Sequence, residues 1–406
     1  MRHQAASQLK RSAPRSRSES VDVTIVMPCL NEYQCLPHCI ANAREAVRRI
    51  GEEYGLTGEV VIADNGSTDG SQSLAVSLGA RVVDVAERGY GAALIGGSKA
   101  AYGKYILMGD ADGSYDFTDG VAMIGELQGG AELVMGNRFA GGIEDGAMPP
   151  LHRYLGNPVL SAIARWLHRS PIGDFHCGLR GFTREAFGKI GARSPGMEFA
   201  SEMVINAHRA GLDIREVPIR LHPDIRDRAP HLRSFRDGWR HLRLIVAHAP
   251  DTMFLIPGLV LLAAGIFGLG ALASGPVRVD GHYFGIHFVA LSSMATLIGL
   301  CAILLGALAK VAIAIYHPTG TSRVVPWLKR GRPLEWLLGA GSLLTLAALG
   351  TDALLALKWI FLGGAMEQSV HLAFATTTAC VAGVMMVLTG FVMKLLLDNL
   401  DERHGF

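Results

Sequence analysis

The run YILMGDADGSYDF, residues 105–117, decides how the rest of the chain is read. Tyr105 to Met108 is short, apolar and followed by glycine, the pattern of a buried strand. Asp110 and Asp112 come directly after it, one residue apart. Two carboxylates crowded at a strand end repel each other, and a divalent cation relieves that repulsion. Mg²⁺ characteristically takes one or two protein carboxylates and completes its shell with waters and substrate phosphates. The pair therefore predicts a phosphate-bearing ligand.

Working outward, apolar runs alternate with helical stretches. VTIVMPC (23–29), EVVIAD (59–64), RVVDV (81–85) and ELVMG (132–136) read as further strands. Helices are predicted around 41–50, after Asp69 as an N-cap, and over 91–101. This βαβ rhythm predicts an α/β domain with a mostly parallel sheet covered on both faces. Such sheets bind ligands at the carboxyl ends of their strands. Pro28, Asn31 and Glu32 follow the first strand, and Asp64 and Asn65 end the second. Arg88 precedes a helix in ERGYG, and Arg138 follows the strand ending at Gly136. One such turn would be an ordinary surface loop; five aligned strand ends form the rim of a site.

The second half of the chain differs in kind. Thr252–Val277, Gly281–Ala309, Trp336–Ile360 and Gln368–Met393 are each apolar enough to cross a bilayer. The third carries Asp352 and Lys358, and Asp352 reads as a wet position near the outer end of its span. Arg226 to Arg243 before the first span, and Arg323 to Arg332 between the second and third, make two basic connections; the others share one arginine. The positive-inside rule then places the α/β domain and both termini in the cytoplasm. Residues 233–248, RSFRDGWRHLRLIVAH, carry Phe235, Trp239, Leu242 and Val246 at helical spacing beside an arginine stripe. That pattern suits a helix at the bilayer surface.

The expected organisation is therefore a basic tail (1–20), an α/β domain (21–232), an amphipathic helix (233–250), a four-helix membrane domain (251–396) and a short cytoplasmic tail (397–406). No apolar segment in the first 20 residues reads as a secretory signal. Cys35 and Cys39 beside His38 read as one helix face rather than a metal site. A net charge of +2 gives no reason to expect a nucleic-acid partner, and a homo-oligomer is left open.

Taken together, VTIVMPCLNE, VIADNGSTDGS and GDADGSYDF resemble family 2 glycosyltransferases with a GT-A fold. The chain is similar to polyprenyl-phosphate glycosyltransferases of the dolichol-phosphate mannose synthase type, over roughly residues 21–245. The resemblance implies sugar transfer from a nucleoside diphosphate sugar, such as GDP-mannose or UDP-glucose, to a polyprenyl phosphate, using Mg²⁺ or Mn²⁺ and inverting the anomeric centre. It implies that Pro28, Asn31 and Glu32 form the turn beside the nucleotide, and that Asp64 reads the base with Asn65 next to it in the nucleotide-sugar site. Asp110 and Asp112 match the metal motif, and Arg138 the arginine near the acceptor phosphate. Asp174, in DFHCGLRGF, matches an acid that orients or weakly deprotonates. Arg226, Arg228 and Arg233 fall where the family carries a basic loop over the phosphates, and Arg88 would assist it. Two positions depart from the family pattern: Asn65 replaces its usual second acid, and Ser114 stands where a glutamine is common. A processive synthase would carry Gln-x-x-Arg-Trp before its spans, whereas Trp239 follows FRDG. A diacylglycerol-directed transferase and a catalytically idle nucleotide sensor would share parts of the same pattern.

Overall fold

The structure is a computed structural model and describes residues 21–226, 234–316, 324–330, 332–362 and 370–404. Seven strands form the first sheet: β1 (Val23–Cys29), β2 (Gly58–Asp64), β3 (Arg81–Asp84), β4 (Tyr105–Met108), β5 (Leu133–Asn137), β6 (Arg180–Thr183) and β7 (Ile214–Pro218). Their order is β3-β2-β1-β4-β6-β5-β7, with β6 antiparallel to both of its neighbours. β1 is buried along nearly its whole length because helices cover both of its faces.

The helices of this domain are α1 (Leu36–Tyr54), α2 (Ser71–Ser77), α3 (Tyr90–Ala100), α4 (Gly120–Gln128), α5 (Arg138–Gly141), α6 (Asn157–His168), α7 (Arg184–Ile190) and α8 (Phe199–Arg209). α1 begins with a proline in its first turn and ends on Gly55 at φ 69°, the left-handed stop that glycine adopts freely. Asp69 is not the N-cap predicted for α2. That position is Gly70, and the Asp69 carboxylate instead accepts from the backbone and hydroxyl of Ser71. β6 and β7 were not expected from the sequence. β6 holds a fully buried arginine, and β7 is only half-buried, so neither has an apolar run.

α9 (Ser234–Ala247) joins the two halves. Phe235 is 86% exposed and Trp239 62% exposed, so half of the predicted apolar stripe faces outward. The face turned to the α/β domain is instead Asp237, His241 and Ile245, all buried. α6 lies alongside, tied by a 3.0 Å contact between His168 Nε2 and the Ile245 carbonyl. The segment leading into α6 leaves Tyr154 and Leu155 exposed, and α6 itself leaves Val159 and Trp166 exposed, so the two helices share an apolar outer surface.

The remaining helices are α10 (Ile256–Leu272), α11 (Ile286–Tyr316), α12 (Val324–Arg330), α13 (Pro333–Leu362) and α14 (Val370–His404). Among the described residues four stretches are long and apolar enough to cross a membrane: Asp251–Leu272, Ile286–Ile315, Pro333–Phe361 and Val370–Leu400. α14 runs past residue 396, with Lys394 and Asp398 paired one turn apart. Between α10 and α11 a hairpin, β8 (Val277–Val279) and β9 (His282–Phe284), turns on Asp280 and Gly281, both at positive φ. Asp-Gly is the dipeptide that such a two-residue turn favours. Polar side chains link the helices: Ser293 of α11 meets Thr378 of α14 at 2.6 Å, and Thr376 of α14 donates to Asp352 of α13.

Candidate active site

The site is built at the carboxyl end of the sheet, beside the point where the order departs from β1 in two directions. Asp110 and Asp112 leave β4 there. Asp112 is pinned by the backbone and hydroxyl of Ser114 through its Oδ1, at 3.0 and 2.6 Å. Its Oδ2 meets Arg226 at 2.8 Å. Asp110 Oδ1 is buried without a hydrogen-bond partner. Burial first, and the neighbouring Asp112 second, push the Asp110 carboxyl up to about 7. An orphaned, desolvated carboxylate oxygen beside a second carboxylate is a donor set that a divalent cation satisfies. Among the described residues no set of three His, Cys, Asp or Glu forms a protein-only cage. The pair therefore fits a divalent ion that draws its remaining ligands from substrate and water.

Asp174 and Arg138 meet as a buried fork. Arg138 Nε and Nη2 donate to Asp174 at 2.6 and 2.8 Å. Burial works against the guanidinium charge, and Asp174 more than restores it, holding Arg138 well above its ordinary range. Asp174 is fully buried, and both of its oxygens are engaged by Arg138. That geometry suits an orienting acid rather than a base.

Two residues that sequence reasoning missed hold this loop. Glu216 of β7 accepts from the backbone of Gly173 and Asp174, at 2.9 and 3.0 Å. Arg180, wholly buried, donates to the carbonyls of Cys177, Ala200 and Phe175. The sequence carried no signal for either, because the strands that hold them, β6 and β7, lack apolar runs. Gly178 must stay small, because a Cβ there would sit 2.7 Å from Asp110 Oδ2.

On the far side of the acid pair, Asp64 accepts from Gly66, Ser67 and Gln72. Burial opposes its charge, and the donors from Ser67 and Gln72 outweigh burial, so its carboxyl is held low. The Asn65 amide is spent on the Val85 and Glu87 carbonyls and the Gly89 backbone. It therefore braces the loop between β3 and α3. Arg88 donates to the Asn65 carbonyl. Asn31 adopts φ 59° and clasps Ser67 and Thr68, while Pro28 pairs with Ala63 inside the sheet. Glu32 lies 3.5 Å from Arg226, which also meets Asp224 at 2.9 Å. The structure thus brings Glu32, Asp112 and Arg226 together. Arg228 and Arg233 lie outside the described residues.

A cavity of about 410 Å³ opens from the acid pair. Asp110, Asp112, Arg138 and Arg226 supply its charged part, and Met148, Leu151, Leu155 and Leu160 an apolar wall. α9 closes it with Phe235, Asp237 and His241, a contribution the sequence did not suggest.

A mostly parallel sheet with an acid pair after a central strand, and a bundle of membrane-length helices behind it, defines a membrane glycosyltransferase of GT-A fold. Residues 24–191 match the model of glycosyl transferase family 2, and residues 307–397 that of the family 2 C-terminal transmembrane region. The low-salt glycan biosynthesis hexosyltransferase Agl6 of Haloferax volcanii is 36% identical over 92% of this chain and 89% of its own length. A dolichyl-phosphate hexose transferase from the same organism is 29% identical over 49% of this chain and 82% of its own. A solved structure of glucosyl-3-phosphoglycerate synthase from Mycobacterium tuberculosis aligns with TM-score 0.41 and 22% identity, over 56% of this chain and 76% of that one. The chain belongs to glycosyltransferase family 2.

Proposed function

We propose that the protein transfers a hexosyl group from a nucleoside diphosphate sugar to a polyprenyl phosphate at the cytoplasmic face of the cell membrane. The observation that carries this reading is the cavity. Its lining combines charged groups suited to phosphates, an apolar wall, and side chains of the helix that precedes the membrane spans. An acceptor with an anionic head and a long hydrocarbon tail matches that combination of surfaces. The exposed Tyr154, Trp166, Phe235 and Trp239 would set the mouth of the cavity into the bilayer interface. The similarity to a dolichyl-phosphate hexose transferase supports the same acceptor class.

Within this reading the nucleotide lies along the ends of β1 and β2, on loops held by Asn31, Asp64, Asn65 and Arg88. Asp110 and Asp112 would hold Mg²⁺ or Mn²⁺, which would supply positive charge beside the leaving diphosphate. Arg226 adds charge at the same place. A phosphate monoester has its second pKa at about 6, so the acceptor is already a nucleophile at neutral pH. Its oxygen attacks the anomeric carbon, the bond to the diphosphate breaks, and one displacement inverts the centre. No general base is needed. Asp174 keeps Arg138 charged and aimed, and Arg138 Nη1, which Asp174 leaves over, steers the acceptor phosphate.

The test is transfer of radiolabel from GDP-mannose or UDP-glucose into an organic-extractable lipid, with Mn²⁺ and a polyprenyl phosphate. Wild type should move label with one donor, and Asp112→Ala should not. Label that stays water-soluble with a panel of donors, together with unchanged donor binding in Asp112→Ala, would overturn the reading.

A further inference from the structure

The cavity wall contains a feature the mechanism above does not use. His176, two residues after Asp174, lies with its Nε2 3.3 Å from Ser201 Oγ. Ser201 Oγ lies 2.8 Å from His241 Nδ1. Ser201 is fully buried on α8, His241 is buried on α9, and both histidines line the cavity. The two rings stand edge to face, 4.7 Å between centroids. Burial holds both imidazoles well below their usual range, so both are neutral.

Hydrogen-bond bookkeeping then fixes what the pair offers. Ser201 has one hydroxyl proton, and each neutral imidazole carries one N–H and one lone pair. If the hydroxyl donates to His241 Nδ1, it accepts from His176 Nε2; the spare nitrogens are then an N–H on His241 and a lone pair on His176. If it donates to His176, the two are exchanged. In either tautomer one spare nitrogen donates and the other accepts. Among the described residues His176 Nδ1 has no hydrogen-bond partner, and the bond of His241 to Ser201 is made through its Nδ1. An uncharged donor beside an uncharged acceptor suits hydroxyl groups. A phosphate would call for two donors and a positive charge, which Arg138 and Arg226 supply elsewhere in the cavity.

We propose that His176 and His241, locked in complementary tautomers by Ser201, form a neutral subsite that grips hydroxyls of the sugar on the donor nucleotide. The inference rests on the nucleotide-sugar reading above and deepens it. Because His241 belongs to α9, seating of that helix completes the sugar pocket.

The experiment is calorimetric titration of the full chain in lipid nanodiscs with Mn²⁺. UDP and GDP are compared with UDP-glucose and GDP-mannose for wild type, His241→Phe, His241→Asn and Ser201→Ala. Nucleoside diphosphate affinity should stay within about twofold in every variant. Affinity for the preferred sugar nucleotide should fall about tenfold or more in His241→Phe, the scale of a lost buried hydrogen bond. Ser201→Ala should lose less, and His241→Asn should recover part of the loss. Equal loss for diphosphate and sugar nucleotide would make the cluster merely structural and overturn the proposal, as would unchanged sugar-nucleotide affinity in His241→Phe. Wild type binding none of the four ligands would instead remove the nucleotide-sugar reading on which it rests.

Discussion

Asp110 sits in a position that costs stability. Its carboxyl is buried, faces Asp112 and leaves one oxygen without a partner. Asp110→Asn removes the like-charge conflict and should stabilise the metal-free protein by about 1–3 kcal/mol. The same change should abolish the rise in melting temperature that Mn²⁺ gives the wild type, and differential scanning fluorimetry with and without Mn²⁺ reads both effects. Arg180 is the reverse case. It neutralises no carboxylate, yet three backbone carbonyls depend on it. Arg180→Met should cost about 2–4 kcal/mol through those unsatisfied groups, seen as a lower melting temperature together with lost turnover. Legibility followed the same chemistry. Asp110 and Asp112 stand out in the sequence because two acids follow an apolar run. Glu216, His176 and His241 do not, because each takes its role from groups far away in the chain, and Arg180 does not, because its partners are backbone carbonyls that no sequence pattern marks.

Among the elements, α9 carries the most function per turn. Asp237 and His241, both buried, and the largely exposed Phe235 line the cavity, while Trp239 faces outward. The amphipathic pattern was readable, but which face met the domain was not. The sequence placed the aromatic stripe at the bilayer surface, in keeping with the exposed Phe235 and Trp239, and gave no sign that Asp237 and His241 would be buried against the domain. Phe235→Ser with Trp239→Ser should lower transfer to a long-chain polyprenyl phosphate severalfold and leave transfer to a short, water-soluble prenyl phosphate nearly unchanged. Parallel assays with the two acceptors check this. The seam between α6 and α9 is also acid-sensitive. Burial lowers His168 and His241 to about 4, against an unfolded value near 6.5. Between those values the unfolded chain binds more protons, so stability is full above about pH 6.5 and falls as pH drops toward 4. Melting temperatures across that window should decline, and less steeply in His168→Gln.

Across the whole molecule, the two halves were separable in the sequence. Polar turns at strand ends marked the α/β domain, and long apolar runs, the third interrupted by Asp352 and Lys358, marked four spans, matching the four membrane-length helices among the described residues. The strand order was less legible, because antiparallel β6 has a buried arginine where an apolar run would betray a strand. The hairpin of β8 and β9 straddles the short connection and the adjoining ends of two stretches read as spans, and Asp280-Gly281 was its visible sign. The cavity is lined by the α/β domain and by α9, the helix that precedes the membrane spans, and combines charged groups with apolar side chains.

The most direct measurement of that cavity's role is an acceptor comparison in nanodiscs, using one labelled sugar nucleotide that wild type turns over. Polyprenyl phosphate, the matching polyprenol and diacylglycerol would compete at equal concentration. Label is expected on polyprenyl phosphate alone, and Arg138→Leu should lose it. Equal labelling of polyprenol, or preference for diacylglycerol, would contradict a cavity built for an anionic head on a hydrocarbon tail.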